Sequence, residues 1–424
     1  MLSEVRFWKR FQVFPAQEDL MKKLLCALFT LSLLAPAGIF AAPRDKKARS
    51  GKNSGNVTLK VWESNGSERK FIDWAIAEYT KTHKNVKIVY EHVENTDSRT
   101  KIELDGPAGV GADVFVAPHD HIGALVNGGH VRENTNALYL NQFVNAARTA
   151  ARYNGKTYGY PIAIETYALF YNKHFISNPP KTWDDVLAFA KTFNDNSKRK
   201  YAIVWPVADP YFDYQFMAAY GAALFGPNGN DRAQHNIDSA QAVKGLKYFQ
   251  SLRKQILDIP SADMTSDFAG SAFSQGQAAM LITGPWSVDT FTRQKMNFGI
   301  VPLPSFPGTS QPATSFSGIR LAFVSSYSKY PEEAAEFAEF LTQKSSLEKR
   351  FELTRQLPPR KDIQTNDALS NGILEQTRYA VPMPTIPQMS VYWTAMAAAY
   401  AGIWDGDDVA SDLKSAAIAM ESAK

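Results

Sequence analysis

Cysteine is almost absent from this chain: its 424 residues contain a single one, Cys26. Cys26 lies inside the apolar stretch Leu24 to Leu34, so a chain that loses this stretch carries no thiol. That excludes disulfide staples, a thiol nucleophile, an iron–sulfur centre and a cysteine zinc site, and leaves ordinary packing to hold the fold. Long apolar runs are missing too. Leu24 to Leu34 is about half of the ~20 residues needed to span a bilayer, and no later run approaches that length. Strong charge is the third absence. The formal net charge is +4, but ten of the 46 Lys and Arg fall in residues 1–55 against four acidic residues. Beyond residue 55 the balance is 36 basic to 38 acidic. A near-neutral body argues against a nucleic-acid partner, which needs a basic face able to neutralise several phosphates.

The amino terminus has the order of an export signal: Met21, Lys22 and Lys23 are the charged part, Leu24 to Leu34 the apolar part, and small residues follow, with cleavage expected after Ala41. Cys26 sits within the apolar part, the wrong place for lipid attachment just beyond a cleavage site. The reading is therefore an extension ahead of the translation start at 1–20, a signal peptide at 21–41, and a flexible linker at 42–55, where Arg44, Lys46, Lys47, Arg49 and Lys52 show no apolar period. Such a chain is exported to the periplasm or the extracellular space as a soluble monomer. The remaining length exceeds one ordinary core and predicts two domains of roughly 150–200 residues each.

Along the body, Val57 to Trp62 alternates as a strand does, Asn65 and Gly66 break it, and Phe71, Trp74, Ala75 and Tyr79 follow at helical spacing. Val86 to Tyr90 and Ala112 to Ala117 read as further strands, the latter buried on both faces. Alternating strands and helices predict α/β architecture with mainly parallel sheets. Tyr158 to Asn172 reads as one extended apolar stretch with Glu165 as its only charge. That carboxylate is either a half-exposed strand position or a ligand acceptor at a cleft. Thr182 and Asp185 make a capping box for a helix over Trp183 to Phe193. Ala278 to Thr283 is a buried strand stopped by Gly284-Pro285 with Trp286 just beyond, and Ile319 to Ser325 is another strand. A helix beginning near Pro331 follows it, and the carboxy-terminal third is helical apart from Pro382 to Pro387.

His119-Asp120-His121 has the residue types of a metal site, but neighbours at a strand end do not readily converge on one ion, and no third or fourth ligand is evident. The alternative is a helix start at which Asp120 caps backbone N–H groups.

Five blocks resemble one family. They are Val114-Phe115-Val116-Ala117-Pro118-His119-Asp120-His121; Pro161-Ile162-Ala163-Ile164-Glu165 leading into Tyr171-Asn172-Lys173; Asp209-Pro210-Tyr211-Phe212; Met280 to Trp286; and Pro384 to Trp393. Their order over residues 56–424 is similar to that of extracellular solute-binding proteins of ABC transporters, and within them to the maltose and maltodextrin-binding branch. The resemblance implies the two-lobed type II periplasmic binding protein fold, its lobes joined by hinge strands. It places the first lobe at 56–163 and 318–360 and the second at 164–317 and 361–424, with the chain crossing near Ala163 to Ala168 and Phe316 to Leu321. It implies a malto-oligosaccharide in the cleft, delivery to ABC permease subunits, no cofactor and no catalysis. A pyranose presents an apolar face and a rim of hydroxyls, so its site needs flat rings and carboxylates. Trp286, Tyr211 and Trp393 are the candidate platforms, and Glu165, Asp209 and Asp120 the candidate acceptors. Each ring is otherwise an ordinary core residue, and Glu165 with Asp209 also fits the acid and nucleophile of a glycoside hydrolase, whose separation the sequence does not show.

The chain departs from the branch on the ligand side. Gly66 and Ser67 stand where an Asp-Lys pair is expected, with Glu63 or Glu68 as a nearby substitute. Ala117 replaces a tryptophan, His121 a basic residue, and Ala397 an arginine one turn after Trp393. Either longer α-1,4-glucans offset these losses, or the cleft takes a different di- or oligosaccharide.

Overall fold

Val57, Leu59 and Val61 are buried while Thr58 is exposed and Lys60 half-buried, so the first strand, β1 (Val57–Glu63), presents one face to a core. The computed structural model describes residues 55–422; the expected signal segment and nearly all of the linker lie outside these residues. The helix Ser67–Thr82 follows β1 and leads to β2 (Val86–His92), and the helix Ser98–Asp105 leads to β3 (Val114–Pro118). A short hairpin of β4 (Arg152–Tyr153) and β5 (Lys156–Thr157) precedes β6 (Tyr160–Thr166), which runs into β7 (Ala168–Asn172) across the single residue Tyr167. Then come β8 (Tyr201–Val204), β9 (Ala278–Thr283), β10 (Phe298–Val301), β11 (Phe316–Val324) and β12 (Val381–Pro382).

These strands build two principal sheets. The first runs β12-β11-β3-β1-β2, with β6 on the other side of β11. The second runs β10-β7-β9-β8. Each has its own core: Leu59, Phe115, Phe323 and Phe337 belong to the first, and Phe170, Ile203, Met280 and Trp404 to the second. The molecule is thus a two-lobed α/β protein, and Ile164 of β6 packs against both cores. The chain changes sheet at Tyr167, which is fully buried, and β11, a strand of the first sheet throughout, changes core along its length, Phe316 joining the second core and Leu321 the first.

The stretch Tyr158 to Asn172 is therefore two strands in two sheets rather than one. Sheet direction differs from expectation in the second sheet only, since β11 also pairs in parallel with β12 and leaves the first sheet mainly parallel. In the first sheet β1 pairs in parallel with β2 and β3, whereas β11 is antiparallel to β3 and β6. In the second only β8 and β9 pair in parallel. β7 enters straight from β6, without a helical crossover to reverse it, and sits antiparallel between β10 and β9. Local signals fare better: the helix Trp183–Phe193 begins at Thr182 with both bonds of the capping box formed. Among the described residues, no helix is long and apolar enough to cross a membrane.

Candidate functional site

A cleft of about 730 Å³ opens between the lobes. Its first-lobe wall comes from segments at the carboxyl ends of β1, β2 and β3, where ligands of parallel α/β sheets gather. Asn65, Asn95, Thr96, Arg99, Asp120 and His121 line that wall. The second-lobe wall carries Asp209, Tyr211, Phe212, Trp286 and Trp393, and Glu165 and Arg320 lie between the two.

The second-lobe wall is aromatic because its turns turn rings outward. After β9, Gly284 allows the indole of Trp286 to fold back over the strand end, since a Cβ on Gly284 would collide with that ring. Trp286 then stands 6.3 Å from the Tyr211 ring, centroid to centroid. Tyr211 opens the helix Pro210–Ala218, with Pro210 in its first turn and Asp209 as its cap. One Asp209 oxygen accepts the Tyr211 N–H at 2.9 Å, and burial raises the carboxyl's pKa despite that bond. Burial likewise raises the Tyr211 phenol well above its ordinary value. Trp393 stands edge-on to Phe316, 5.9 Å away.

Asp120 is 4% exposed. Its Oδ2 accepts the Trp393 indole N–H at 3.0 Å, while its Oδ1 is buried without a partner. The capping alternative is not what forms, since no side-chain cap bond is made in the 3-10 turn His119–His121. His121 also has an unpartnered buried atom, Nδ1, and burial lowers its pKa and favours the neutral ring. His119 points away from the cleft: its Nδ1 accepts the Ile319 N–H at 3.1 Å, so its Nε2 donates to the Met383 carbonyl at 3.0 Å. Both nitrogens are committed to backbone, which takes His119 out of any metal reading.

Glu165 sits at the edge of a buried ionic cluster. Arg320 reaches Glu165 at 2.8 Å, Glu68 at 3.0 Å and Glu63 at 3.2 Å, and Arg350 reaches Glu63 at 3.2 Å. Burial raises the pKa of Glu165 even though Arg320 pulls it down. Burial also opposes the charge on Arg320, but the three carboxylates outweigh it and raise its pKa. Glu63 is fully buried within this cluster and does not reach the cleft. Its two oxygens face Arg320 and Arg350, which corrects its expected place among the ligand contacts. Glu68 is on the wall instead, with one oxygen held by Arg320 and Gln356. Asn65, Asn95, Thr96 and Arg99 were not foreseen, although their place in segments following strands was the available signal.

The signature of bacterial extracellular solute-binding proteins matches residues 74–377. The galactooligosaccharide-binding protein of Bacillus subtilis is 30% identical, over 88% of this chain and 89% of its own. A maltodextrin-binding protein of the same organism is 30% identical over 87% and 89%, and the maltotriose-binding protein of Pyrococcus abyssi is 27% identical over 80% and 76%. Among solved structures, a cyclo/maltodextrin-binding protein complexed with maltotetraose shares 33% identity at a TM-score of 0.72, covering 87% of this chain and 98% of that one. The Thermus thermophilus maltotriose binding protein, bound with maltotriose, shares 26% at 0.80, covering 86% and 99%. With its two lobes, intervening cleft and matched span, this chain belongs to the bacterial extracellular solute-binding protein family.

Proposed function

We propose that this protein captures a malto-oligosaccharide between its lobes and hands it, unchanged, to the permease of a carbohydrate ABC transporter. The observation that carries the reading is the pairing of walls: Tyr211, Trp286 and Trp393 on one side, Asp120 and the amide and hydroxyl side chains of Asn65, Asn95 and Thr96 on the other. Rings cover the apolar faces of pyranoses, and the polar wall takes up their hydroxyls. The cleft volume suits a short oligosaccharide. Asp209, Asp120 and Glu165 act as hydroxyl acceptors, and the Tyr167 and β11 crossings act as the hinge. Relatives and structural neighbours named for maltodextrin, maltotriose and maltotetraose support this cargo. The protein works outside the cytoplasm, as a monomer delivered by its signal peptide, and the lobes close because sugar touches both walls.

A second reading, a galactose-containing oligosaccharide, is favoured by the galactooligosaccharide-binding relative and by the first lobe's lack of a platform, Ala117 being fully buried. Calorimetric titration with maltotriose and with a β-galactotriose separates the two. Maltotriose binding with quantitative recovery of intact sugar supports the proposal. Binding of the galactotriose alone transfers the cargo to the second reading, and hydrolysis of either sugar ends the non-catalytic one.

A further inference from the structure

Behind Asp209 and Tyr211 lie two unfavourable features that meet in one hydrogen bond. Ala208 has φ +69°, a left-handed conformation that alanine adopts at a cost and glycine does not. Asp213, one turn into the Pro210–Ala218 helix, is 0% exposed. Its Oδ2 accepts the Ala208 N–H at 2.9 Å, and its Oδ1 accepts the indole N–H of the fully buried Trp205 at 2.8 Å. No lysine, arginine or histidine is among the groups acting on it, and Asp209 adds a second negative charge nearby. Burial accordingly raises its pKa well above the ordinary value. Buried carboxylates without a cation are rare in a core, and strained backbone gathers at functional sites. Here the strained residue immediately precedes Asp209.

We propose that Asp213 is a positioning residue of the cleft: its carboxylate holds the left-handed turn at Ala208, and that turn aims Asp209 and Tyr211 at the sugar. Asp213 touches no ligand itself; it is absent from the cleft wall and acts through the backbone. Trp205, wedged edge-on against Trp183 and Trp404, fixes the other oxygen, so the carboxylate cannot swing away from the turn. An asparagine in its place keeps the shape but presents an NH₂ to one of the two N–H donors, leaving that donor unpaired.

The inference rests on the sugar-binding reading, so unmodified protein is titrated with maltotriose first; absence of binding there counts against that reading alone. Asp213→Asn, studied at a temperature where circular dichroism shows it folded, is expected to raise the maltotriose Kd by about tenfold or more. Adding Ala208→Gly, which adopts the left-handed turn without help, is expected to recover a large part of that loss. A purely structural Asp213 would lower the melting temperature and leave Kd within about twofold of the parent, and that result overturns the proposal. So does a loss of affinity that Ala208→Gly leaves untouched. Hydrogen exchange on the unmodified, sugar-free chain gives an arm that needs neither variant folding nor a known sugar. The Ala208 amide is expected to exchange slowly, and rapid exchange overturns the proposal.

Discussion

Trp393 of the second lobe donates its indole N–H to Oδ2 of Asp120 in the first, 3.0 Å across the cleft. The same indole is a candidate sugar platform, so one side chain supplies both a face and a lobe-to-lobe bond. Lys70 and Asp289 also link the lobes, at 3.4 Å, but on the exposed rim, where such a pair contributes little. The buried bond is the one expected to bias closure. Trp393→Phe keeps a ring and loses the donor, and is expected to weaken sugar binding by about 1 kcal/mol. Trp393→Ala removes both and is expected to cost about 2 kcal/mol or more. Calorimetry on the two variants separates bond from face; equal losses would show that the ring in phenylalanine contributes nothing.

Arg320 is the hub of the buried ionic cluster, facing Glu63, Glu68 and Glu165. Arg320→Met leaves three carboxylates with Arg350 as the only cation in the cluster, and breaking buried pairs of this kind costs about 3–5 kcal/mol. Asp73→Asn, which removes the exposed Arg69–Asp73 pair, is expected to change stability by less than about 1 kcal/mol. Urea denaturation of both variants measures the contrast. An Arg320→Met chain as stable as the parent would show that the cluster is dispensable for folding.

His119 predicts an acid-sensitive contribution to stability. Burial lowers its pKa below the ordinary 6.5, and the Ile319 N–H needs an unprotonated Nδ1. With the folded pKa depressed, the contribution to stability is complete above 6.5 and is lost as pH falls from there through the folded pKa. The slope is at most about 1.4 kcal/mol per pH unit for this residue. His121 shifts in the same direction, while Glu165, Asp209 and Asp213, whose pKa values are raised, change stability in the opposite sense over their own range. The test is therefore a difference: chemical denaturation of parent and His119→Gln from pH 7.5 to 5, in which the variant should show the shallower loss. Parallel curves would mean that His119 does not titrate with unfolding.

Features governed by neighbours in sequence were legible, and those governed by distant partners were not. Thr182 and Asp185 are three residues apart, and their capping box formed as read. Gly284 and Pro285 ended β9 and brought Trp286 to the cleft, because a turn of that composition acts locally. Tyr211, Trp393, Asp120, His121, Glu165 and Asp209 also line the cleft. Glu63 was misplaced because its fate depends on Arg350, 287 residues away. The composition of the apolar run around Tyr167 does not show a change of sheet, since both halves are buried and nothing in them says against which strands; the expected crossing near Ala163 to Ala168 came only from the family resemblance. Asp213 is inconspicuous in the sequence for the same reason: its significance comes from the backbone of Ala208 and the indole of Trp205.

The cleft is lopsided, and its ligand preference should show it. Tyr211, Trp286 and Trp393 put all three candidate platforms on the second lobe, while Ala117, fully buried at the end of β3, gives the first lobe none. His121 is present there as a partly buried ring favoured in its neutral form, and the position one turn beyond Trp393 holds Ala397, so neither position offers a charge-assisted contact to hydroxyls. A disaccharide spans little of the aromatic wall and gains correspondingly little. Each further glucose adds an apolar face to it, so affinity should rise from maltose to maltotriose and again to maltotetraose. In a thermal-shift series at fixed sugar concentration the melting temperature should climb in that order, since a ligand at a hundred times its Kd stabilises the fold by about 2.7 kcal/mol. Trp286→Ala should weaken maltotriose binding by about 2 kcal/mol or more and flatten the series, because it removes the platform that longer chains engage. Equal shifts for maltose and maltotriose, or an undiminished series in Trp286→Ala, would show that affinity comes from the polar wall and that the rings belong to the core.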